Sequence, residues 1–336
     1  MMRFPRRLAY FAYYLRRLDT ARLAVFMDHV RRRKGWSRPA QWARVLHDSL
    51  RYNISILEYY QFRFYDLSAE EKPRWAGTGT MYEFQKRANP PDKRMILEDK
   101  CLFHAAYRQF FRHDLYTRAE LEATPELVEK LLREHDRLVF KPARGNCGVG
   151  IAFVDSATLK AADVVPMMVR EGYDLVEEGL VQHPDLMRLS PAGVNTVRIF
   201  TALDEKNQCH ILGCRLRISV NSEVDNLAAG NLAAPVDDAT GEVTGPGVYS
   251  DITRQPEAVH PVTGRPIEGF RIPFWPETLA LARAASVLHP QNRSIGWDIV
   301  ITPDGPGLIE GNHDWCKLVW QLPVGRGLKQ RLECCG

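Results

Sequence analysis

The sequence predicts an α+β protein in which the helices come first. Three observations carry that reading. Apolar residues recur at steps of three and four through roughly the first 115 residues. From Arg137 onward they gather instead into short runs of strand length. Polar, turn-forming clusters separate those runs in pairs, as in hairpins. The chain has 336 residues, 45% hydrophobic and 26% charged, which is ordinary globular usage and argues against a disordered or collagen-like protein. That length suggests about two domains and can bury a large core.

Each element follows in order. Leu8, Phe11, Ala12, Leu15 and Leu18 share one helical face, with arginines outside it. Leu46, Leu50, Ile54, Leu57 and Tyr60 form a second stripe. Residues 75–80 and 89–92 read as breaks. Lys100 to Phe111 reads as a helix with Leu102, Phe103, Ala106 and Phe110 inward. Core packing accounts for all these stripes. Residues 138–140 and 151–154 then read as strands around a glycine-rich turn, 163–171 as a helix and 174–177 as a strand. Thr196–Ala202 and Cys209–Ser219 flank the turn Asp204-Glu205-Lys206-Asn207, a long hairpin signal. Residues 221–273, rich in Gly, Pro, Asp and Asn, suggest long functional loops. Pro276–Leu288 reads as a helix with Pro at its start. Ile295–Ile301 and Leu308–Gly311 make a last hairpin around residues 303–307. No internal repeat is present.

The net charge of +4 is too small for a nucleic-acid partner, but it is unevenly spread. Residues 1–38 hold eleven Arg and Lys against Asp19 and Asp28, a net of +9 that leaves −5 for the rest. The basic N-terminal helix reads as a solvated face, a partner surface or a peripheral contact with an acidic membrane. The apolar stretch Leu8–Leu15 is too short for a signal peptide and lacks a small-residue cleavage site. No apolar run reaches the ~18 residues of a spanning helix. Seven cysteines, with no C-x-x-C pair, argue against a disulfide framework or zinc site and fit free thiols in a reducing cytoplasm.

Three features carry chemistry. In Phe140-Lys141-Pro142-Ala143-Arg144-Gly145-Asn146-Cys147-Gly148-Val149-Gly150-Ile151, glycines 145, 148 and 150 can fold a loop tightly and bring amides against an anion. Lys141 adds a positive charge. The spacing is neither a P-loop nor G-x-G-x-x-G. An ordinary hairpin turn is the other reading. Second, Asp298 in Gly296-Trp297-Asp298 and Glu310 with Asn312 in Glu310-Gly311-Asn312 fall on one face of the last hairpin if residues 303–307 close it. Val300 then opposes Glu310, and Asp298 opposes Asn312. Such an oxygen-only set suits Mg²⁺, unless these are two surface carboxylates on an edge hairpin. Third, Arg198, Arg215 and Arg217 lie on strands among apolar neighbours. Such arginines seek a phosphate, a carboxylate or a salt bridge across the sheet.

The order of these features resembles the ATP-grasp superfamily, and the detail resembles its sugar-transfer-associated, α-L-glutamate ligase-like branch. The matching stretches are Glu98-Asp99-Lys100, Lys141-Pro142 with the glycine loop, Asp174 to Glu178 and Asn195-Thr196-Val197-Arg198. They continue with Val224-Asp225-Asn226 and Gly230, His260 to Gly264, and Gly296-Trp297-Asp298 with Glu310-Gly311-Asn312. The resemblance covers roughly residues 55–325 and implies two α+β subdomains gripping one ATP. Residues 1–95 would be a helical N-terminal cap without ATP contact, 96–176 the N-terminal ATP-grasp subdomain and 177–330 the C-terminal one.

By position, the resemblance implies that Lys100 and Lys141 hold phosphates while the loop from Arg144 through Gly145, Gly148 and Gly150 closes over them. Glu177 to Val181 would be the hinge, with the backbone of Glu178 and Leu180 reading adenine. Gln182, His183 and Asp185 are the candidates for the ribose. Asp298, Glu310 and Asn312 would ligate Mg²⁺, Arg217 would steady the transferring phosphoryl group, and Arg198 would hold that group or the acyl acceptor. The implied activity is an ATP- and Mg²⁺-dependent carboxylate–amine ligase acting through an acyl phosphate on a small molecule or glycan precursor. Its partners would be a small carboxylate and an amine. The alternatives are a kinase of a small molecule or sugar, or a nucleotide-binding accessory protein of glycan assembly. His183, His260 and His313 are proton-transfer candidates or plain loop and core histidines.

Overall fold

The computed structural model describes residues 4–145, 150–222 and 225–335. Gly148, Cys147 and Val224 lie outside the described residues. The chain opens with helices α1 (Phe4–Arg16), α2 (Thr20–Lys34), α3 (Arg38–Tyr52), α4 (Ile56–Gln61) and α5 (Thr78–Ala88). Two short helices follow, α6 (Met95–Glu98) and α7 (Lys100–Tyr107). Side chains cap the starts of α2, α3 and α4. Asp19 caps α2, Ser37 caps α3, and Ser55 with Glu58 forms a capping box on α4. Asn53, in the left-handed region at φ 56°, turns the chain from α3 into α4, so the second apolar stripe spans two helices.

Two antiparallel sheets come next. The first runs β1 (Leu115–Thr117), β4 (Leu175–Glu178), β2 (Arg137–Lys141), β3 (Ala152–Asp155). Helices α8 (Arg118–Ala123) and α9 (Glu126–Glu134) precede β2, and α10 (Ala161–Glu171) precedes β4. Strand alternation divides the faces. Leu138, Phe140 and Val176 pack with Leu131, Val164 and Met168 of the helices, while Val139, Lys141 and Glu177 face away from them. The second sheet runs β7 (Leu232–Val236), β6 (Cys209–Ile218), β5 (Val197–Leu203), β8 (Ser294–Thr302), β9 (Gly305–Asn312). Helix α11 (Pro184–Leu189) precedes β5, α12 (Trp275–Leu288) precedes β8, and α13 (Lys317–Gln321) follows β9. Val197, Ile199, Leu216, Trp297 and Ile299 pack toward Ala282 and Ala285 of α12 and Tyr107 of α7. The other face carries Phe200 and Ala202 against Trp315 and Trp320, and continues into the polar side chains described below.

The structure departs from the sequence reading in several places; one is Leu102 of α7, expected inward and 44% exposed. On α1 the inward face is set by Arg7, Tyr10 and Tyr14, because their polar ends find partners. Arg7 donates to the carbonyls of Leu50 and Arg51, and Tyr14 donates to Asn53 at 3.2 Å. Leu8 and Leu15 are left 47% exposed. Residues 115–134, unassigned from sequence, hold a three-residue strand and two short helices, of which α9 carries a helical stripe of Leu127, Val128, Leu131 and Leu132 that the sequence reading passed over. Residues 221–273 contain β7, whose Pro235 is tolerated because β7 is an edge strand. The last hairpin closes at Thr302↔Gly305, with a two-residue turn of Pro303 and Asp304 in place of a five-residue one. Gly305 supplies the φ of 124° that this tighter turn requires.

The N-terminal helices share polar clamps with the C-terminal sheet region. Gln61 donates to the Ser250 carbonyl, Asn89 to those of Ser294 and His313, and Lys317 meets the buried Glu58 at 2.9 Å. Burial pulls the Lys317 ammonium down to about 8. The fully buried Gln321 donates to the Ala76 carbonyl at 3.0 Å and accepts from the amides of Ala76 at 2.9 Å and Leu328 at 3.1 Å. Gln321→Ala strands two buried amides, so it should cost about 2–4 kcal/mol of stability. Urea unfolding measures it, and a loss below ~1 kcal/mol would show that the clamp is dispensable.

Candidate active site

A cavity of about 610 Å³ opens between the two sheets. Its first wall comes from β2, β3 and β4. Val139 and Lys141 on β2 share a face with Phe153, the partner of Val139, and with Glu177 on β4. Ile151, Leu180 and Met187 complete an apolar shelf, and Ile309 of β9 lines the same cavity. Lys141 forms an ion pair with Glu177, and His113 lies 3.5 Å from the other oxygen of that carboxylate. Burial pushes the Glu177 carboxyl up, but Lys141 and His113 outweigh it and hold it at about 2. His113 is a residue that the sequence reading missed.

Lys100 fastens the base of the glycine loop. Its amide donates to the Ala143 carbonyl at 2.8 Å, and its ammonium to the Gly145 carbonyl at 2.8 Å. Burial lowers its proton affinity, opposed by Glu310. Lys100 and Gly145 line the cavity. Arg144 does not: it is 69% exposed and sits 3.6 Å from Asp99. Gly150, at φ 77°, packs over Pro142 outside the lining. Beyond β4, Leu180 and Gln182 reach the cavity. The Glu178 amide is committed to the Asp114 carbonyl at 3.0 Å, and the Glu178 side chain lies 3.1 Å from His135 on the opposite face. His183 caps α11 by accepting from the Asp185 amide, again outside the lining.

The second wall is a buried ladder of charge across β6, β5, β8 and β9. Register places Arg198 directly opposite Asp298, and Asp298 directly opposite Glu310. Both Arg198 nitrogens Nε and Nη2 donate to Asp298 in a bidentate pair, and Arg217 donates to the same carboxylate at 2.9 Å. Asp225 holds Arg217 from the other side at 2.7 Å while accepting from the Thr196 amide at 2.8 Å. Burial raises the Asp298 carboxyl, yet the two guanidinium groups hold it well below the ordinary range. Arg217 is kept charged the same way, since Asp225 and Asp298 outweigh its burial. Arg215 lies outside this set; it donates to the Trp320 carbonyl at 3.0 Å.

Glu310 is the exception. Burial first, and then the Asp298 charge, push its carboxyl up, and Asn312 donates to it at 3.2 Å. The half-buried Glu310 carboxyl faces the buried Asp298 carboxylate, whose two oxygens already accept from Arg198 and Arg217, and a divalent cation beside Glu310 would relieve the repulsion. The donors therefore fit Mg²⁺. A register shift brings them together. From Thr302 to Ile299 the strands pair without interruption, and continuing would set Asp298 against Ile309. A bulge between Asp298 and Ile299 inserts one extra residue on β9 and returns Glu310 to the Asp298 face. The sequence reading had Asp298 opposite Asn312. The observed partner is Glu310, and Asn312 opposes Gly296.

The remaining histidines are engaged in structure. His260 spans the Ser219 carbonyl and the amides of Val262 and Thr263. His313 lies 3.3 Å from Glu98. Among the described residues, a second grouping of possible metal donors is Asp114, Glu134 and His135, where the Lys130 ammonium already sits 2.9 Å from Asp114. The helical cap is not remote from the cavity, because Arg22 and Gln61 line it.

A family model described as sugar-transfer associated ATP-grasp matches residues 80–336. Among solved structures, the chain is similar to a RimK domain protein ATP-grasp from Sphaerobacter thermophilus at 12% identity, with a TM-score of 0.39, over 72% of this chain and 68% of that one. D-alanine-D-alanine ligase from Helicobacter pylori is matched at 10% identity, TM-score 0.41, over 71% of this chain and 60% of that one. A biotin carboxylase from Campylobacter jejuni is matched at 12% identity, TM-score 0.46, over 76% of this chain and 50% of that one. No protein of curated function matches the sequence.

Two measurements follow from the electrostatics. The Glu177 carboxyl is depressed to about 2 from 4.5, so its contribution to stability is present above pH 4.5 and lost as pH falls toward 2. Glu177→Gln should flatten the acid limb of stability in that window; an unchanged limb would detach Glu177 from Lys141. Glu310 has the opposite sign. Its raised carboxyl makes stability fall as pH rises above 4.5. Without metal at pH 7, Glu310→Gln should melt a few degrees higher than wild type, about 2–4 °C per kcal/mol relieved. Added Mg²⁺ should raise the wild-type melting temperature and leave that of the variant unchanged.

Proposed function

The chain belongs to the sugar-transfer associated ATP-grasp family, and from that premise we propose that it is an ATP- and Mg²⁺-dependent carboxylate–amine ligase. It would form an amide on a small molecule or glycan precursor through an acyl phosphate. One observation carries the reading: Lys100 and Lys141 face Arg198, Arg217, Glu310 and Asn312 across a single cavity. The apolar shelf of Val139, Ile151, Phe153 and Leu180 offers a flat surface for a base, and the cations offer a path for a triphosphate.

The chemistry makes those demands. A carboxylate is a poor electrophile. Its oxygen attacks the γ-phosphorus, the bond to the β-phosphate oxygen breaks, and ADP departs. An amine nitrogen then attacks the acyl carbon, inorganic phosphate leaves with the bonding pair, and the nitrogen loses a proton. Phosphoryl transfer requires alignment and charge neutralisation more than covalent help. Lys141 and Lys100 would hold the phosphates. Arg217, braced by Asp225, would meet charge on the transferring group, and Arg198 would meet the same group or the acid. Glu310 and Asn312, with Asp298 beside them, would hold Mg²⁺, which supplies charge neutralisation and an in-line template when bound.

The test is product analysis with a library of acids and amines. Stoichiometric ADP and phosphate that require both substrates support ligation. ADP formed at full yield with the acid or a hydroxyl compound alone would replace it with a kinase. Lys141→Ala should weaken ATP binding by tenfold or more and stop turnover. Glu310→Gln should stay folded and lower the rate by about two to four orders of magnitude. A near wild-type rate at sub-millimolar Mg²⁺ would remove Glu310 from the site.

A further inference from the structure

Helix α1 carries no acidic residue and turns its apolar stripe outward. Leu8 and Leu15 are 47% exposed and Tyr13 is 52% exposed, while Ala9 and Ala12 between them are exposed as well. The orientation is enforced from inside. Arg7 is held on the carbonyls that end α3, and Tyr14 is buried on Asn53. The outward face therefore cannot roll into the core without breaking those bonds. Tyr82 of α5, 52% exposed, lies edge-on to Tyr10 and extends the patch, and Val25 of α2 is 51% exposed. Exposed Arg16 and Arg17 flank the stripe, and the chain then enters α2 at Thr20.

Apolar side chains beside arginines, with two tyrosines at the boundary, match the layering of an anionic lipid surface. Leucines enter the acyl boundary, tyrosines sit at headgroup depth and guanidinium groups meet phosphate. A second copy of the chain would instead set arginine against arginine. Among the described residues no helix is long and apolar enough to cross a membrane, so this face could only lie on one. We infer that the outward face of α1, with the adjoining end of α2, docks the protein on anionic membranes. Arg22, in the first turn of α2, lines the cavity. The inference does not depend on the ligase reading.

Sedimentation with vesicles of phosphatidylcholine alone, and with phosphatidylglycerol added, tests it on the full chain. Wild type should sediment with anionic vesicles only, and ~0.5 M salt should release it in part. Leu8→Ser with Leu15→Ser should reduce binding about tenfold or more, with an unchanged circular dichroism spectrum and melting temperature. Arg16→Gln with Arg17→Gln should weaken binding at low salt and lose the salt response. Equal binding by wild type and both variants, or no binding to anionic vesicles, overturns the proposal. A wild-type dimer in light scattering that the leucine variant dissociates also overturns it, by showing a second copy on this face.

Discussion

The Arg198–Asp298 pair is the constraint around which the rest is arranged. A bidentate ion pair on neighbouring strands, almost fully buried, costs several kcal/mol of desolvation per ion unless its remaining valences are met. Arg217 meets one, and Asp225 balances Arg217. Asp225 in turn is fixed by the Thr196 backbone at the start of β5. The network is left open at the buried Nε of Arg217, which has no hydrogen-bond partner among the described residues, and at Glu310, where a carboxyl group faces Asp298 with its proton affinity raised. A raised carboxyl at the edge of such a network is where an added cation relieves repulsion.

A second constraint is geometric. The tight turn at Pro303 and Asp304 would place odd and even residues of β8 and β9 on the same face, and Glu310 would point away from Asp298. One extra residue at the bulge reverses that parity. Ile309 is the residue displaced, and it too lines the cavity. The same irregularity therefore turns one carboxylate toward the charge ladder while Ile309 still lines the cavity.

The helical cap is joined to the C-terminal sheet region through amides and carbonyls that water cannot reach. Gln321, Gln61 and Asn89 each satisfy backbone groups far away in sequence. Glu58 serves both as half of a capping box and as the partner of the half-buried Lys317. Residues 4–95 thereby become part of the cavity wall, through Arg22 and Gln61, while their outer surface stays apolar and basic.

The α+β class, most strand positions and the residues of the charge ladder were legible in the sequence, because strand alternation and glycine, proline and asparagine turns are local properties. Lys141, Arg198, Arg217, Asp298, Glu310 and Asn312 all reach one cavity. Arg144, His183 and the Glu178 amide do not supply it, since each is held by a neighbour that no local pattern announces: Asp99, the N-terminus of α11, and the Asp114 carbonyl. His113 has no motif and is found only through its closeness to Glu177. The outward turn of α1 was equally hidden. Its apolar stripe and its tyrosine stripe share Phe11 and Leu18, and only the partners awaiting Arg7 and Tyr14 choose between them. Periodicity determines that a helix has faces. Which face is buried depends on hydrogen-bond partners brought near by the fold, and that information lies in the tertiary structure.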